Sequence, residues 1–208
     1  MASAAIFKAK VPALMREFMV DFDCTKEDAA AVFGNAGHES GGFTQMQEIK
    51  PTVAGSRGGY GWFQWTGPRR RAFEAYCARN NLSPTSDKAN YSFLWLELRG
   101  DEKGAIPRLK AAKTLRDKVV AFEMGFERAG IKHYDSRVKW ANLALGAYEA
   151  KYGDAPPKKK NKTGAVVSTT AGAGAGAAAQ QAGLPIWAVL LIAVGVAAIT
   201  FAICKFKK

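Results

Sequence analysis

A mainly α-helical domain with a small loop or hairpin lobe, followed by a C-terminal transmembrane helix, is the fold class that the sequence predicts. Three observations predict it. Apolar residues recur at helical spacing in several segments, most of which begin at a capping residue or a proline. Between Phe43 and Trp65 that period lapses, and Gly55, Gly58, Gly59 and Gly61 punctuate a stretch rich in Thr, Val, Tyr and Trp. Far downstream, Leu184 to Ile203 is a run of 20 residues without a charge. At about 1.5 Å per residue it reaches about 30 Å, the thickness of a bilayer's hydrocarbon core.

Taken in order, Ile6, Val11, Leu14, Phe18 and Met19 carry a helical spacing, and Pro12 sets the expected start of that helix as its first helical residue. Thr25 with Asp28 makes a capping-box start for the next helix. Ala29, Val32 and Phe33 give it an apolar face, and glycines close it around Glu39. The Gly-rich stretch from Phe43 to Trp65 reads as an irregular hairpin or loop lobe that walls one side of a groove. Pro68 opens a helix with Phe73, Tyr76 and Cys77 on one side, and Ser86 caps another with Tyr91, Leu94 and Leu98. Thr114 caps a third, carrying Val119, Phe122 and Phe126 and ended by Gly130. Asp135 or Ser136 begins a fourth, with Val138, Ala141, Leu145 and Tyr148.

Past Asp154 the composition changes abruptly. Residues 155–183 open with Ala155-Pro156-Pro157 and four lysines, then run through Gly, Ala, Ser, Thr and Gln, without the large apolar groups that offset ordering entropy. The expected organisation is a domain at 1–154, a flexible linker at 155–183, a transmembrane helix at 184–204 and a basic tail at 205–208. As a coil the linker would span about 30 Å on average and about 100 Å at full stretch. Lys205, Lys207 and Lys208 flank the membrane run on one side only, so the positive-inside rule places the C-terminus in the cytoplasm and the domain outside. So short a C-terminal flank would ordinarily leave a tail-anchored domain in the cytoplasm. The two expectations agree only for a virus particle's membrane or for insertion during lysis. Residues 1–22 include Lys8, Lys10, Arg16, Glu17 and Asp21, which do not fit a secretory signal.

The formal net charge is +12, of which residues 155–208 contribute +7 and the domain +5. Such a domain is drawn to any polyanion, so charge does not choose among nucleic acid, anionic lipid and cell wall. No specific nucleic-acid motif accompanies it. Cys24, Cys77 and Cys204 match no metal-ligand spacing and read as reduced, hydrophobic thiols, with a Cys24–Cys77 disulfide open in an oxidising space. His38 and His133 are the only histidines, which leaves no zinc centre and no Ser-His-Asp arrangement. The reading therefore includes no metal and no cofactor.

Two stretches carry chemistry: Gly37-His38-Glu39-Ser40-Gly41-Gly42-Phe43 and Gly58-Gly59-Tyr60-Gly61-Trp62-Phe63-Gln64-Trp65-Thr66-Gly67. The first sets a carboxyl at a helix end among glycines that let a ligand approach. The second sets aromatic faces and one amide among glycines, a composition suited to a sugar groove. Glu39-Ser40-Gly41-Gly42-Phe43, followed by Gly59 to Gln64 and then Trp65-Thr66-Gly67-Pro68-Arg69-Arg70, resembles the phage tail lysozyme family. These are peptidoglycan-cutting domains within the lysozyme-like superfamily of goose-type lysozymes and lytic transglycosylases. The resemblance runs from about Asp28 to Tyr148, and Phe126-Glu127-Arg128-Ala129-Gly130 looks like a late motif of the family. It implies an α+β lysozyme-like fold, Glu39 as the catalytic general acid and Gln64 as a residue that contacts substrate or orients Glu39.

Cleaving a glycosidic bond needs a proton on the leaving oxygen, so one carboxyl must hold its proton near neutral pH. Phe43, Trp62 or Trp65 beside Glu39 are expected to raise its affinity for that proton. Tyr60, Trp62 and Trp65 are candidate stacking surfaces for sugar rings, although strand alternation would send Tyr60, Trp62 and Gln64 to one face and Phe63 and Trp65 to the other. Glu48 is the candidate for a second carboxylate, or else part of an exposed loop, and Tyr148 is expected to line the groove. Glu97 and Glu127, acids inside apolar runs, read as structural partners, and Arg69-Arg70-Arg71 as a solvated face.

The expected function is a membrane-anchored phage muramidase, lysozyme or lytic transglycosylase, that cuts the β-1,4 bond between N-acetylmuramic acid and N-acetylglucosamine. It would be carried by the particle for local wall penetration during genome entry. A late lysis protein and a non-catalytic wall-binding membrane protein are the alternatives. Peptidoglycan and a lipid membrane are the expected partners, and the oligomeric state is left open.

Overall fold

Seven α-helices form among the described residues: α1 (Ala2–Phe22), α2 (Lys26–Glu39), α3 (Gly67–Arg79), α4 (Asp87–Arg99), α5 (Ala105–Ala111), α6 (Leu115–Phe122) and α7 (Tyr134–Tyr152). A π-helical turn, Glu123–Glu127, continues α6. The computed structural model describes residues 2–49, 51, 55–154 and 157. The expected transmembrane helix at 184–204 and nearly all of the linker at 155–183 lie outside them. No helix among the described residues is long and apolar enough to cross a membrane.

Helix α2 is the centre of the domain. Its residues from Asp28 to Gly37 are all buried, and α1, α6 and α7 pack around it. The helix starts where the sequence places it: Thr25 Oγ1 accepts from the Asp28 amide at 3.2 Å, and the Asp28 carboxylate accepts from the Thr25 amide at 3.0 Å. Asp28 also accepts from the Lys118 ammonium of α6 at 2.6 Å, so its second oxygen is matched inside the core. A helix enclosed on all sides needs small residues where neighbours come closest. At Gly34 an added Cβ would lie 2.5 Å from the Ala141 Cβ, so α2 and α7 approach at backbone contact.

The first helix departs from its expected start. Pro12 lies inside α1, which begins at Ala2. A mid-helix proline costs about 3 kcal/mol through its missing N–H and ring clash. That cost is offset by the burial of Phe7, Val11, Met15, Phe18 and Met19 along one continuous face. The helix α5 has no counterpart in the sequence reading. Pro107 sits in its first turn, where the missing N–H breaks no bond. Gly130 does not end α6, because the chain turns out at Arg128, which takes a left-handed conformation and donates its amide to the Glu123 carbonyl at 2.7 Å.

The lobe between α2 and α3 forms no strand among its described residues. It is held by two isolated antiparallel bridges, Gln47 with Tyr60 and Tyr60 with Trp65, so of the expected hairpin or loop lobe it is the loop form, a set of turns, that is present. Side chains from the helices complete it. Arg70 donates to the carbonyls of Arg57 and Gly58 and to Gln47 Oε1, and Asn90 Oδ1 accepts from the Trp62 amide at 2.8 Å. Gly61, at φ +80°, is where that approach occurs: a Cβ there would lie 2.6 Å from Asn90 Oδ1. Of the arginine run, only Arg71 is exposed as the expected solvated face requires. Arg70 is buried, and Arg69 grips Glu97 and lies over the Phe126 ring at 4.5 Å.

Cys24 and Cys77 are free thiols, so the disulfide left open by the sequence is not formed. Burial pushes Cys24 up to about 12 and Cys77 up to about 11, which keeps both protonated and unreactive at neutral pH.

Candidate active site

Glu39 is the last residue of α2, at the negative end of the helix dipole, where a carboxylate calls for a cation. The chain turns sharply after it. Ser40 Oγ donates to the Ala36 carbonyl at 2.6 Å and accepts from the Phe43 amide at 3.0 Å, while Gly41, Gly42 and Phe43 all take positive φ. Two of these three positions are glycine, which adopts that backbone without strain. The turn drives the Phe43 ring into the core between Phe7 and Trp62, with centroids 4.9 and 4.7 Å away. The end of α2 is thereby anchored and the Glu39 carboxyl left at its tip.

The cation is Arg137, in the first turn of α7 and 1 % exposed. Its donors fan out over four acceptors. Nη2 donates to Glu39 Oε1, Nη1 to Asn35 Oδ1 at 2.9 Å and to Glu127 Oε2 at 3.2 Å, and Nε to the Lys132 carbonyl at 2.8 Å. Asn35, one helical turn before Glu39, is itself held by the carbonyls of Ala31 and Val119. The guanidinium is a fixed hub that sets Glu39 from one side and Glu127 from the other.

Glu127 closes the π turn and is 5 % exposed, against 21 % for Glu39. Its Oε1 is buried and has no hydrogen-bond partner. Burial, followed by the Glu39 charge, holds the Glu127 carboxyl well above the usual range despite Arg137, and the two carboxyl groups are within hydrogen-bonding range of each other. Next to them, His38 Nδ1 lies 2.9 Å from Ser136 Oγ and the ring sits 5.4 Å from that of His133. Burial and the Arg137 charge pull His38 down, favouring the neutral imidazole.

Other residues singled out from the sequence fall elsewhere. Trp62 is fully buried against Phe43 and Phe33, and Trp65 is buried among Phe73 and Phe93, so neither offers a ring face to a sugar. Strand alternation fails because Gly61 and Gln64 take positive φ within a turn, which points Trp62, Phe63 and Trp65 all inward. Tyr60 stays half-buried under the Arg70 guanidinium. Gln64 directs its amide nitrogen to the carbonyls of Gly61, Gln45 and Met46 and so braces the loop that leaves Glu39. Glu48 Oε2 accepts from the Gly59 amide at 2.8 Å and braces the same lobe. Tyr148 is buried at the far end of α7, next to the Glu149 that pairs with Lys26 at the start of α2. Glu39 ends that helix about 20 Å away, so Tyr148 does not share its site.

The sequence model of the phage tail lysozymes matches residues 12–148. The chain belongs to the phage tail lysozyme family. That family is one of peptidoglycan-degrading enzymes, glycosidases in their general activity. No curated protein and no solved structure matches the chain. The matched span contains Glu39, Gln64, Glu127 and Arg137. Sequence reasoning set Glu127 aside as a structural partner and passed over Arg137, one of 30 basic residues. The available signal was Glu127 itself, the one acid of the late family motif Phe126-Glu127-Arg128-Ala129-Gly130.

Proposed function

We propose that this chain cuts the β-1,4 bond between N-acetylmuramic acid and N-acetylglucosamine, with Glu39 as the general acid. The observation that carries the reading is the Glu39 carboxyl itself, reachable from solvent at the tip of α2 and set in place by the buried Arg137. A fixed proton donor that solvent and substrate can reach is what departure of the glycosidic oxygen requires. The Glu39 proton moves to that oxygen as the C1–O bond breaks, and its electron pair leaves with the oxygen. Water, or the muramic acid's own C6 hydroxyl, then attacks the oxocarbenium-like carbon and returns a proton to the site. The first outcome is hydrolysis and the second transglycosylation.

The uncharged run at 184–203 and the lysines after it support a membrane-anchored enzyme whose domain faces the wall, tethered through residues 155–183. A tether of that reach suits a local opening made by a virus particle during genome entry. Mass spectrometry of fragments released from purified peptidoglycan by the full-length chain, run beside Glu39→Gln, tests the chemistry. Reducing muramic ends from the unmodified chain alone establish hydrolysis, and anhydro-muramyl ends transglycosylation. No fragments from either chain refute the enzyme. Protease digestion of the domain from outside intact particles or spheroplasts supports the orientation, and full protection refutes it.

A further inference from the structure

The unpartnered oxygen of Glu127 has no explanation as part of a structural bridge. A buried carboxylate oxygen with nothing to accept costs about 1–3 kcal/mol, more when charged, and native structures seldom leave one. Glu127 Oε1 is such an atom, 88 residues along the chain from a second carboxyl that lies within reach. A proton on Glu127 turns that oxygen into a donor, and the Glu39 carboxyl is the acceptor.

We propose that Glu127 is a positioning residue for the acid step: it stands behind Glu39, shares one proton with it through a carboxyl–carboxylate hydrogen bond, and so keeps Glu39 supplied. This deepens the glycosidase reading and rests on it. Two carboxyls that flank a sugar bond stand about 5 Å or more apart, with the substrate or a water between them. Glu39 and Glu127 accept from the two terminal nitrogens of one guanidinium, so they stand side by side on Arg137 rather than facing each other across a sugar bond.

Charge balance supports the arrangement. Arg137 contributes one positive charge to two carboxyl groups, and one proton makes the trio neutral. When the proton sits on Glu39, the charge rests on Glu127, whose Oε2 accepts from Arg137 Nη1. Glu39 then gives the proton to the leaving oxygen, and the attacking water or sugar hydroxyl returns one to the pair. No other reactant is needed. Besides Arg137 of α7, the titratable groups near the pair include His38 of α2, whose ring lies against that of His133, and Tyr134 of α7, which feels the Arg137 charge; His38 is held toward its neutral form.

The test compares the pH dependence of the full chain with that of Glu127→Gln on soluble peptidoglycan strands. The amide keeps an oxygen for Arg137 and an N–H for Glu39 but has no proton to give. kcat should fall by about tenfold or more with KM within about twofold. The alkaline limb should move to lower pH by about one unit or more, because a lone carboxyl lacks the like-charged neighbour that retains the second proton. An unshifted limb overturns the proposal. Should Glu127→Gln not fold, or the unmodified chain release no fragments, carboxyl ¹³C NMR titration of the unmodified chain decides. Two coupled steps seen at both Glu39 and Glu127 are expected, and independent single steps overturn the pairing. Absence of fragments would count against the glycosidase reading alone, since the titration requires no turnover.

Discussion

Glu97 and Glu127 look alike in the sequence, each an acid inside an apolar run, and each meets an arginine in the fold. Their surroundings differ in kind. Arg69 grips Glu97 through Nε and Nη2 at 2.7 and 2.8 Å, and Trp65 Nε1 donates to the same carboxylate at 2.7 Å. Both oxygens are matched, and the group ties α3 and α4 to the buried end of the lobe. Glu127 receives a single bond of 3.2 Å from its arginine, leaves one oxygen unmatched and faces another carboxyl. A fully satisfied buried acid is a bridge. An incompletely satisfied one beside a like charge, at a place solvent reaches through Glu39, has the character of a functional site.

The largest separation between the two clusters should appear in activity. Glu39→Gln is expected to lower the rate of peptidoglycan cleavage by about 10²–10⁴-fold, the usual share of a general acid. Glu97→Gln, assayed at a temperature where both variants are folded, should leave it within a few-fold. Comparable losses in both would erase the distinction.

Stability separates the arginines next. Arg137→Leu strands two carboxyl groups, one of them deeply buried, and should cost about 3–5 kcal/mol in urea unfolding. Arg69→Leu removes charge-assisted bonds at a more open position and should cost about 1.5–3 kcal/mol.

The pH dependence of stability sharpens the contrast further. Glu127 keeps its proton in the folded chain where the unfolded chain, with an ordinary carboxyl near 4.5, has lost it. Its contribution is therefore intact below that pH and is lost as pH rises toward the elevated folded value, at no more than about 1.4 kcal/mol per pH unit. Glu127→Gln should flatten the stability curve above pH 4.5, as read by denaturation at a series of pH values. The smallest effect belongs to neither cluster: Lys10→Ala, which breaks the open pair with Asp87, should change unfolding by about 0.5 kcal/mol or less.

Much of the helical body is legible in the chain. The capping residues Thr25, Ser86 and Thr114 begin α2, α4 and α6 through the side-chain bonds that their residue types favour. Pro12 misleads because its penalty is local while the burial that outweighs it is spread over the whole of α1. The lobe is less legible. Its aromatics read as a sugar platform, yet Trp62 and Trp65 pack inward, because turns at Gly61 and Gln64 replace the alternation of a strand. Glu39 stands out because a helix end, glycines and a family motif converge on it. Glu127 and Arg137 acquire meaning only as a pair around it.

Capping chemistry, apolar period and the spacing of two short motifs are written along the chain, and they were enough for most of the helices, the lobe's position and the family, though not for α5 or the start of α1. The partner of each charged side chain is not written there. Glu39 and Arg137 are 98 residues apart, and they meet because α2 and α7 pack at backbone contact where Gly34 lies against Ala141. Burial and long-range electrostatics arise only once distant segments share one core. They are what separate the structural acid Glu97 from the paired acids Glu39 and Glu127.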